Sequence, residues 1–184
     1  MHWHVADKDY VNYLRSFEPL IEEITYKNRL KPYIGVVLSI NNFNYYIPIS
    51  SAKPKHKKMK NSRDFLKLID DTQELIAVLN INNMIPIPLE YISRLDYSKI
   101  ELYRLFANNI EREQYIDLLR KELKIINSMS NKIQKNAEYL YEHKVNYLND
   151  SLSNRCCNFI LLEDKAIEYQ YGVNKVDMPS KDVG

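Results

Sequence analysis

The chain has 184 residues, of which 45% are hydrophobic and 27% charged, and a formal net charge of +2. That length fits one domain with its own core, and that composition excludes wholesale disorder. Three glycines, Gly35, Gly172 and Gly184, are too few and too scattered for a phosphate-cradling loop, because GxGxxG and GxxxxGKS/T each need several within a few residues.

In chain order, Trp3 and Val5 alternate with His2 and His4, a short strand pattern. His2 and His4 would share a face, but no third ligand at metal-site spacing accompanies them. Asp7 is placed to cap a helix to about Phe17, with Tyr10, Val11, Leu14 and Phe17 on one face. Pro19 discourages its continuation. Residues 24–31 read as a polar connection. Residues 33–40 and 43–49 are β-rich runs about Asn41-Asn42, a pair that tolerates the left-handed turn of a hairpin. The second run delivers Ser50 and Ser51 at its end. Pro54 and mutual repulsion of the lysines predict a loop over residues 52–61. Three further short strands are expected at 65–69, 75–79 and 84–87, which makes about six.

The second half reads as helical. Ser98 followed by Glu101 is a capping-box pattern. Residues 110–147 carry apolar side chains at helical spacing, but one straight helix would span about 55 Å, too long for this domain. A break is therefore expected near residues 127–131, where helix-neutral polar residues cluster. A last helix over 158–171 should bury Phe159, Leu162, Ala166 and Tyr169 and end at Gly172. The fold class is thus α+β, with residues 1–174 as one domain and 175–184 as a mobile tail. Cys156 and Cys157 are adjacent and offer neither a disulfide framework nor zinc spacing, so they read as reduced core thiols in a cytoplasmic protein. No signal peptide or membrane span is visible.

The small net charge conceals a division. Residues 24–63 contain no Asp or Glu but hold Lys27, Arg29, Lys31, Lys53, Lys55, Lys57, Lys58, Lys60 and Arg63. The other 17 basic residues share the rest of the chain with all 24 acids, a net of −7. Such a segment suits a polyanion, most simply nucleic acid, and is equally compatible with a solvated basic loop. It lacks the clustered carboxylates of two-metal phosphodiester cleavage. What remains is hydroxyl and ammonium groups: Ser50, Ser51 and Lys53 after one hairpin strand, Lys31 and Tyr26 before the other. Ammonium groups can stabilise charge on a phosphorane-like transition state, and serine can orient the phosphate. Tyrosine, or a lysine of lowered pKa, can move a proton. On RNA, the 2′-hydroxyl would supply the nucleophile and leave a 2′,3′-cyclic phosphate. The same residues could simply end a strand and face water. The competing functions are a non-catalytic RNA-binding module and a DNA-binding repressor. The repressor would need a major-groove helix, whereas the charge lies on a hairpin and loop.

At these residues the sequence resembles the ToxN/AbiQ family of type III toxin–antitoxin endoribonucleases. The likeness runs through residues 31–38 (KPYIGVVL), 45–61 (YYIPISSAKPKHKKMKN), 79–86 (LNINNMIP) and 157–163 (CNFILLE), in the family's order. It implies a compact, strongly twisted antiparallel sheet or barrel related to MazF/Kid toxins, surrounded by helices. It further implies metal-independent cleavage of A-rich RNA and no cofactor. The implied partner is a small pseudoknotted RNA cut from a repeat array by the toxin, three of each closing into a silent ring. The implied roles are phage abortive infection or plasmid maintenance. By position, Ser51 matches the family's essential serine and Ser50 a neighbouring hydroxyl. Lys53 and Lys31 match active-site lysines, and Tyr26 matches an upstream tyrosine with one residue inserted before Lys31. Ala52 stands where proline is common. Arg29, Lys55, Lys57, Lys58, Lys60 and Asn61 would grip RNA, with Tyr45, Tyr46 and His56 as base contacts. For the two tyrosines, burial in the core is the competing expectation.

Overall fold

The computed structural model describes residues 1–26, 29–147 and 149–176. The first strand, β1 (His2–Ala6), leads to α1 (Lys8–Phe17), where the Asp7 carboxylate accepts the Tyr10 N–H at 2.8 Å. Tyr10, Val11 and Leu14 are buried, whereas Phe17 is exposed and packs edge-on against Tyr13. The polar connection expected next holds a short hairpin of β2 (Thr25–Tyr26) and β3 (Arg29–Leu30). Then come β4 (Tyr33–Ile40) and β5 (Phe43–Ser51), joined by Asn41 and Asn42 with φ of 51° and 66°. Left-handed φ at both central positions is the type I′ arrangement, whose twist matches the flanking strands.

The loop expected over 52–61 contains one helical turn, α2 (Pro54–Lys58). Local chemistry overrides lysine repulsion there. Pro54 sits where its missing N–H costs nothing, and His56 Nδ1 accepts the Lys53 N–H at 3.1 Å. The strands β6 (Phe65–Ile69), β7 (Leu75–Asn80) and β8 (Ile85–Pro86) follow, and then β9 (Ile92–Arg94), which the sequence reading omits. The main sheet is antiparallel in the order β6-β7-β5-β4-β1-β9, with β8 also on β5; β2 and β3 pair apart from it. Gly35 lies opposite Tyr46, and a Cβ there would come within 2.2 Å of the Tyr46 ring, so only glycine admits this contact.

The helical half has α3 (Asn109–Ser128), α4 (Ser130–Asn146) and α5 (Phe159–Val176). The break falls at Met129, inside the expected window. Ser98 is not a cap. It donates to the Asp96 carboxylate, which caps a short 3₁₀ turn, while Glu101 pairs with Arg112. Gly172 lies within α5 rather than ending it, since the helix continues to Val176. Of the expected tail, residues 177–184 lie outside the described residues. The helices cover the sheet through Ile116, Leu119, Ile126, Ile133, Ala137, Leu140, Phe159 and Leu162, all buried, although Leu118 is exposed. The Trp3 indole N–H donates to the Leu119 carbonyl at 2.9 Å and ties α3 to β1. Cys156 and Cys157 are free and buried, and burial raises the Cys156 thiol to about 11. None of the described helices is long and apolar enough to cross a membrane.

Candidate active site

The β4–β5 register builds the site. Tyr33 faces Pro48, Ile34 faces Ile47, and the Ile49 N–H donates to the Pro32 carbonyl at 3.2 Å. Continuing that register by one step puts Lys31 opposite Ser50, with both side chains on one face. On the other side of β5, Ser50 faces Val78 of β7, so Asn80 is its diagonal neighbour on the same face. Three donors from distant parts of the sequence thereby reach one spot. The group at that spot is a carboxylate. Glu22, from the connection after α1, accepts from the Lys31 ammonium. It also accepts from the Ser50 hydroxyl at 3.2 Å and the Asn80 amide at 3.3 Å.

Burial, the largest influence, pushes the Glu22 carboxyl upward. The Lys31 hydrogen bond and charge, the Ser50 hydrogen bond and the Lys53 charge together outweigh it and hold the carboxyl below its ordinary value. Lys53 acts on this group from the N-cap of α2. The corner is half-open, with the Lys31 side chain 18% exposed and that of Glu22 34%.

The other expected site residues separate into groups. Ser51 is exposed, pairs with Ala77, and strand alternation turns it to the face opposite Ser50. Lys53, Lys55, Lys57, Lys58 and Lys60 are exposed and unpaired with carboxylates among the described residues. Asn61 is exposed, and its side-chain oxygen accepts the Lys67 N–H at 2.8 Å, which clips the segment to β6. The side chains of Tyr26 and Arg29 lie outside the described residues.

Three expected base contacts are corrected. Tyr45 and Tyr46 are buried, and the Tyr45 hydroxyl donates to Glu163 at 2.7 Å. His56 is buried too, tilted against Phe65 at 5.7 Å. Burial first, then the charges of Lys55 and Lys53, lower its pKa, so the ring stays a neutral acceptor for the Lys53 N–H. His2 and His4 are occupied otherwise: His2 Nδ1 lies 3.0 Å from the Arg94 guanidinium, and His4 Nδ1 the same distance from the His2 carbonyl.

Sequence reasoning missed Glu22 and Asn80. Glu22 lies two residues before the acid-free segment, in a stretch with no periodic pattern. Asn80 did have a signal, since it lies within the third matched stretch, directly after the strand expected over 75–79.

A lysine, a serine and an amide bonded to one anion, which also feels the charge of Lys53 from an exposed lysine-rich turn, is a geometry suited to phosphodiesters. The comparisons agree with it. Residues 3–167 match the family described as Toxin ToxN, type III toxin-antitoxin system. The chain is 28% identical over 169 residues to Endoribonuclease ToxN of Bacillus thuringiensis subsp. kurstaki, covering 91% of this chain and 84% of that protein. It is 33% identical over 168 residues to Endoribonuclease AbiQ of Lactococcus lactis subsp. lactis, covering 88% and 85%. A solved type III toxin–antitoxin structure, described as showing selective toxin inhibition by a non-coding RNA pseudoknot, superposes with a TM-score of 0.76. It shares 26% identity and is covered to 96%, against 91% of this chain. The structure of AbiQ, described as a lactococcal anti-phage endoribonuclease, gives 0.75 at 29% identity, covering 92% and 98%. With the family match spanning the sheet from Trp3 onward and the corner that holds Lys31 and Ser50, the chain belongs to the ToxN family of type III toxin–antitoxin toxins.

Proposed function

We propose that this toxin is an endoribonuclease that cuts A-rich RNA without a metal, using the substrate's own 2′-hydroxyl as nucleophile. The 2′-hydroxyl gives up its proton as its oxygen attacks phosphorus, the bond from phosphorus to the 5′-oxygen breaks, and that oxygen takes up a proton, so the net proton count is unchanged. The products are a 2′,3′-cyclic phosphate and a 5′-hydroxyl. The observation that carries this reading is the convergence of Lys31, Ser50 and the Lys53 charge on one anion. In these roles Lys31 and Lys53 offset charge that builds on the phosphorane, and Ser50 orients a non-bridging oxygen. Ser51, turned to the other face at the end of β5, keeps the essential role that the family resemblance implies by contacting the scissile nucleotide away from the phosphate oxygen that Ser50 orients, and Tyr26 contacts substrate or moves a proton. Lys55, Lys57, Lys58 and Lys60 hold the backbone, so affinity falls with salt.

We further read the antiparallel sheet as related to the MazF/Kid-like barrel that the family resemblance implies. By the same relationship, the toxin cuts its own repeat-derived RNA into pseudoknots. Three toxins and three RNAs then close into a ring that silences the enzyme until phage infection or plasmid loss releases it. An RNA substrate and two unpaired buried thiols are consistent with work in the cytoplasm.

The test is cleavage of an A-rich RNA by wild type and Ser51→Ala, with and without EDTA, and with end-group analysis. Wild type should cut in both conditions and leave a cyclic phosphate. The variant should lose cutting and keep RNA affinity. A substrate with 2′-deoxy substitution at the scissile nucleotide should stay whole; its cleavage would overturn the mechanism. An intact RNA under all conditions would leave only a binding module.

A further inference from the structure

Among the described residues, Glu22 and Glu163 each accept side-chain hydrogen bonds from three different residues of other elements. Glu163 is enclosed in the core, but Glu22 lies in the half-open corner where the cleaved phosphate has to be received. Its donors are an ammonium, a hydroxyl and a primary amide. None of these requires a carboxylate in particular. A non-bridging phosphate oxygen accepts from the same three groups, and Lys and Ser are ordinary phosphate ligands. The donors are held by backbone structure and not by the Glu22 carboxylate: Ser50 and Asn80 are paired in β5 and β7, and Lys31, just before β4, donates its N–H to the Ile24 carbonyl at 2.8 Å. Glu22 lies outside the helices and main strands, between the buried Ile21 and Ile24 that hold its backbone, and its side chain is 34% exposed, so the carboxylate can swing aside by side-chain rotation without unpairing the sheet.

We infer that Lys31, Ser50 and Asn80 form a seat for the scissile phosphodiester, and that Glu22 occupies this seat as an internal competitor that RNA must displace. This rests on the endoribonuclease reading above and adds two residues to it. Asn80 is a phosphate ligand, and Glu22 is a brake on binding. A phosphate that enters while Glu22 stays would meet like charge, so the two anions exclude one another. The arrangement stops the lysine from being left without an anion, and it sets a threshold that only a well-placed RNA overcomes. Glu22 acting as the proton acceptor for the 2′-hydroxyl is the competing role, and it predicts the opposite result. A carboxyl held well ionised by two lysines is a weak base.

The experiment compares wild type, Glu22→Gln and Asn80→Asp. It measures steady-state cleavage of an A-rich RNA, and binding of inorganic phosphate and of an uncleavable 2′-deoxy-substituted oligonucleotide. Glu22→Gln should lower KM and the phosphate Kd by about tenfold, the effect of removing one charged competitor, and keep kcat within about threefold. Asn80→Asp puts a second fixed negative charge at the seat and should weaken both ligands by at least about tenfold. Thermal unfolding of all three proteins verifies that the sheet is kept. A collapse of kcat in Glu22→Gln with KM unchanged would assign proton transfer to Glu22 and overturn the inference. Equal phosphate affinity in the three proteins would also overturn it, whatever happens to RNA. If wild type cut no RNA but Glu22→Gln bound phosphate more tightly, the seat would stand and the endoribonuclease reading would fall.

Discussion

The β4–β5 hairpin has a carboxylate from a distant element at each end, and the two ends differ in kind. At the turn, Glu163 of α5 accepts from the Tyr45 hydroxyl at 2.7 Å, the Tyr141 hydroxyl at 2.9 Å and the Asn41 amide at 3.4 Å. The donors are neutral and the group is buried. Burial and the neighbouring carboxylate push the Tyr141 phenol up to about 12, so the ring stays a donor. At the open end, Glu22 accepts from an ammonium, a hydroxyl and an amide, and solvent reaches it. Neutral donors in a closed core leave a carboxylate no substitute partner, so it locks the strands to the helices. A charged, half-open donor set serves any anion of the right shape, so its carboxylate is exchangeable. One hairpin is therefore anchored at its turn and free to bind at its mouth.

Removing the anchor should have the largest effect. Glu163→Ala removes the acceptor of two buried hydroxyls, and should cost about 3 kcal/mol of stability, as the loss of a buried hydrogen-bond network does. Chemical denaturation measures this, and cleavage per folded molecule should stay near wild type. A loss below about 1 kcal/mol would mean that the turn end is no more locked than the mouth. Lys53→Ala is the reciprocal probe. It should lower kcat about 100-fold by removing one transition-state cation, with little change in the unfolding midpoint. If stability fell and kcat held, Lys53 would belong to the scaffold and not to the chemistry.

How much of each end is legible in the sequence follows from periodicity. Asn41-Asn42 between two β-rich runs gives the hairpin, and the hairpin gives the register that opposes Lys31 to Ser50. The helix break at Met129 was equally readable, because chain length and polar clustering agree there. The anchor was not readable. Tyr45 and Tyr46 look like stacking residues beside a basic loop, but β5 is covered on both faces, so successive side chains are both buried. Glu22 was hidden for the opposite reason. It belongs to no periodic element, and only the fold brings it to a segment that looks free of acids. His56 shows how one contact defeats a composition argument. Its ring captures the Lys53 N–H and turns an expected loop into a helical turn. Among the described residues, the acid-free segment thus keeps the lysines from Lys53 to Lys60 outward, as its composition says, while Lys31 turns to Glu22 and His56, Tyr33, Tyr45 and Tyr46 face in.

His56 supplies a pH test at the mouth. Its pKa is lowered in the folded protein, by burial foremost, whereas an unfolded histidine protonates near 6.5. Below that value the unfolded chain binds the extra proton, so stability is present at higher pH and is lost as pH falls through the ordinary histidine range. His56→Gln retains a side chain able to cap the turn but does not titrate. From pH 7.5 to 5.5, wild type should lose about 0.5–1 kcal/mol more than His56→Gln, the ordinary worth of a helix cap. Parallel losses in the two proteins would separate the histidine from α2.

The smallest effect lies at the turn, where two adjacent asparagines share one backbone conformation but not one environment. Both hold left-handed φ, which favours glycine. Asn42 is exposed, and no side-chain hydrogen bond binds it among the described residues, so Asn42→Gly should stabilise the protein by about 0.5 kcal/mol. Asn41 pays the same backbone strain but donates to the Tyr141 hydroxyl at 2.8 Å and reaches Glu163. Asn41→Gly should therefore destabilise by about 1 kcal/mol despite the better backbone fit. The opposite signs come from one variable, contact with the buried carboxylate. Urea titrations of the two variants read it directly, because the backbone contribution is common to both. If Asn41→Gly stabilised as Asn42→Gly does, the Glu163 network would have no hold on the turn, and the hairpin would be as free at its anchored end as at its mouth.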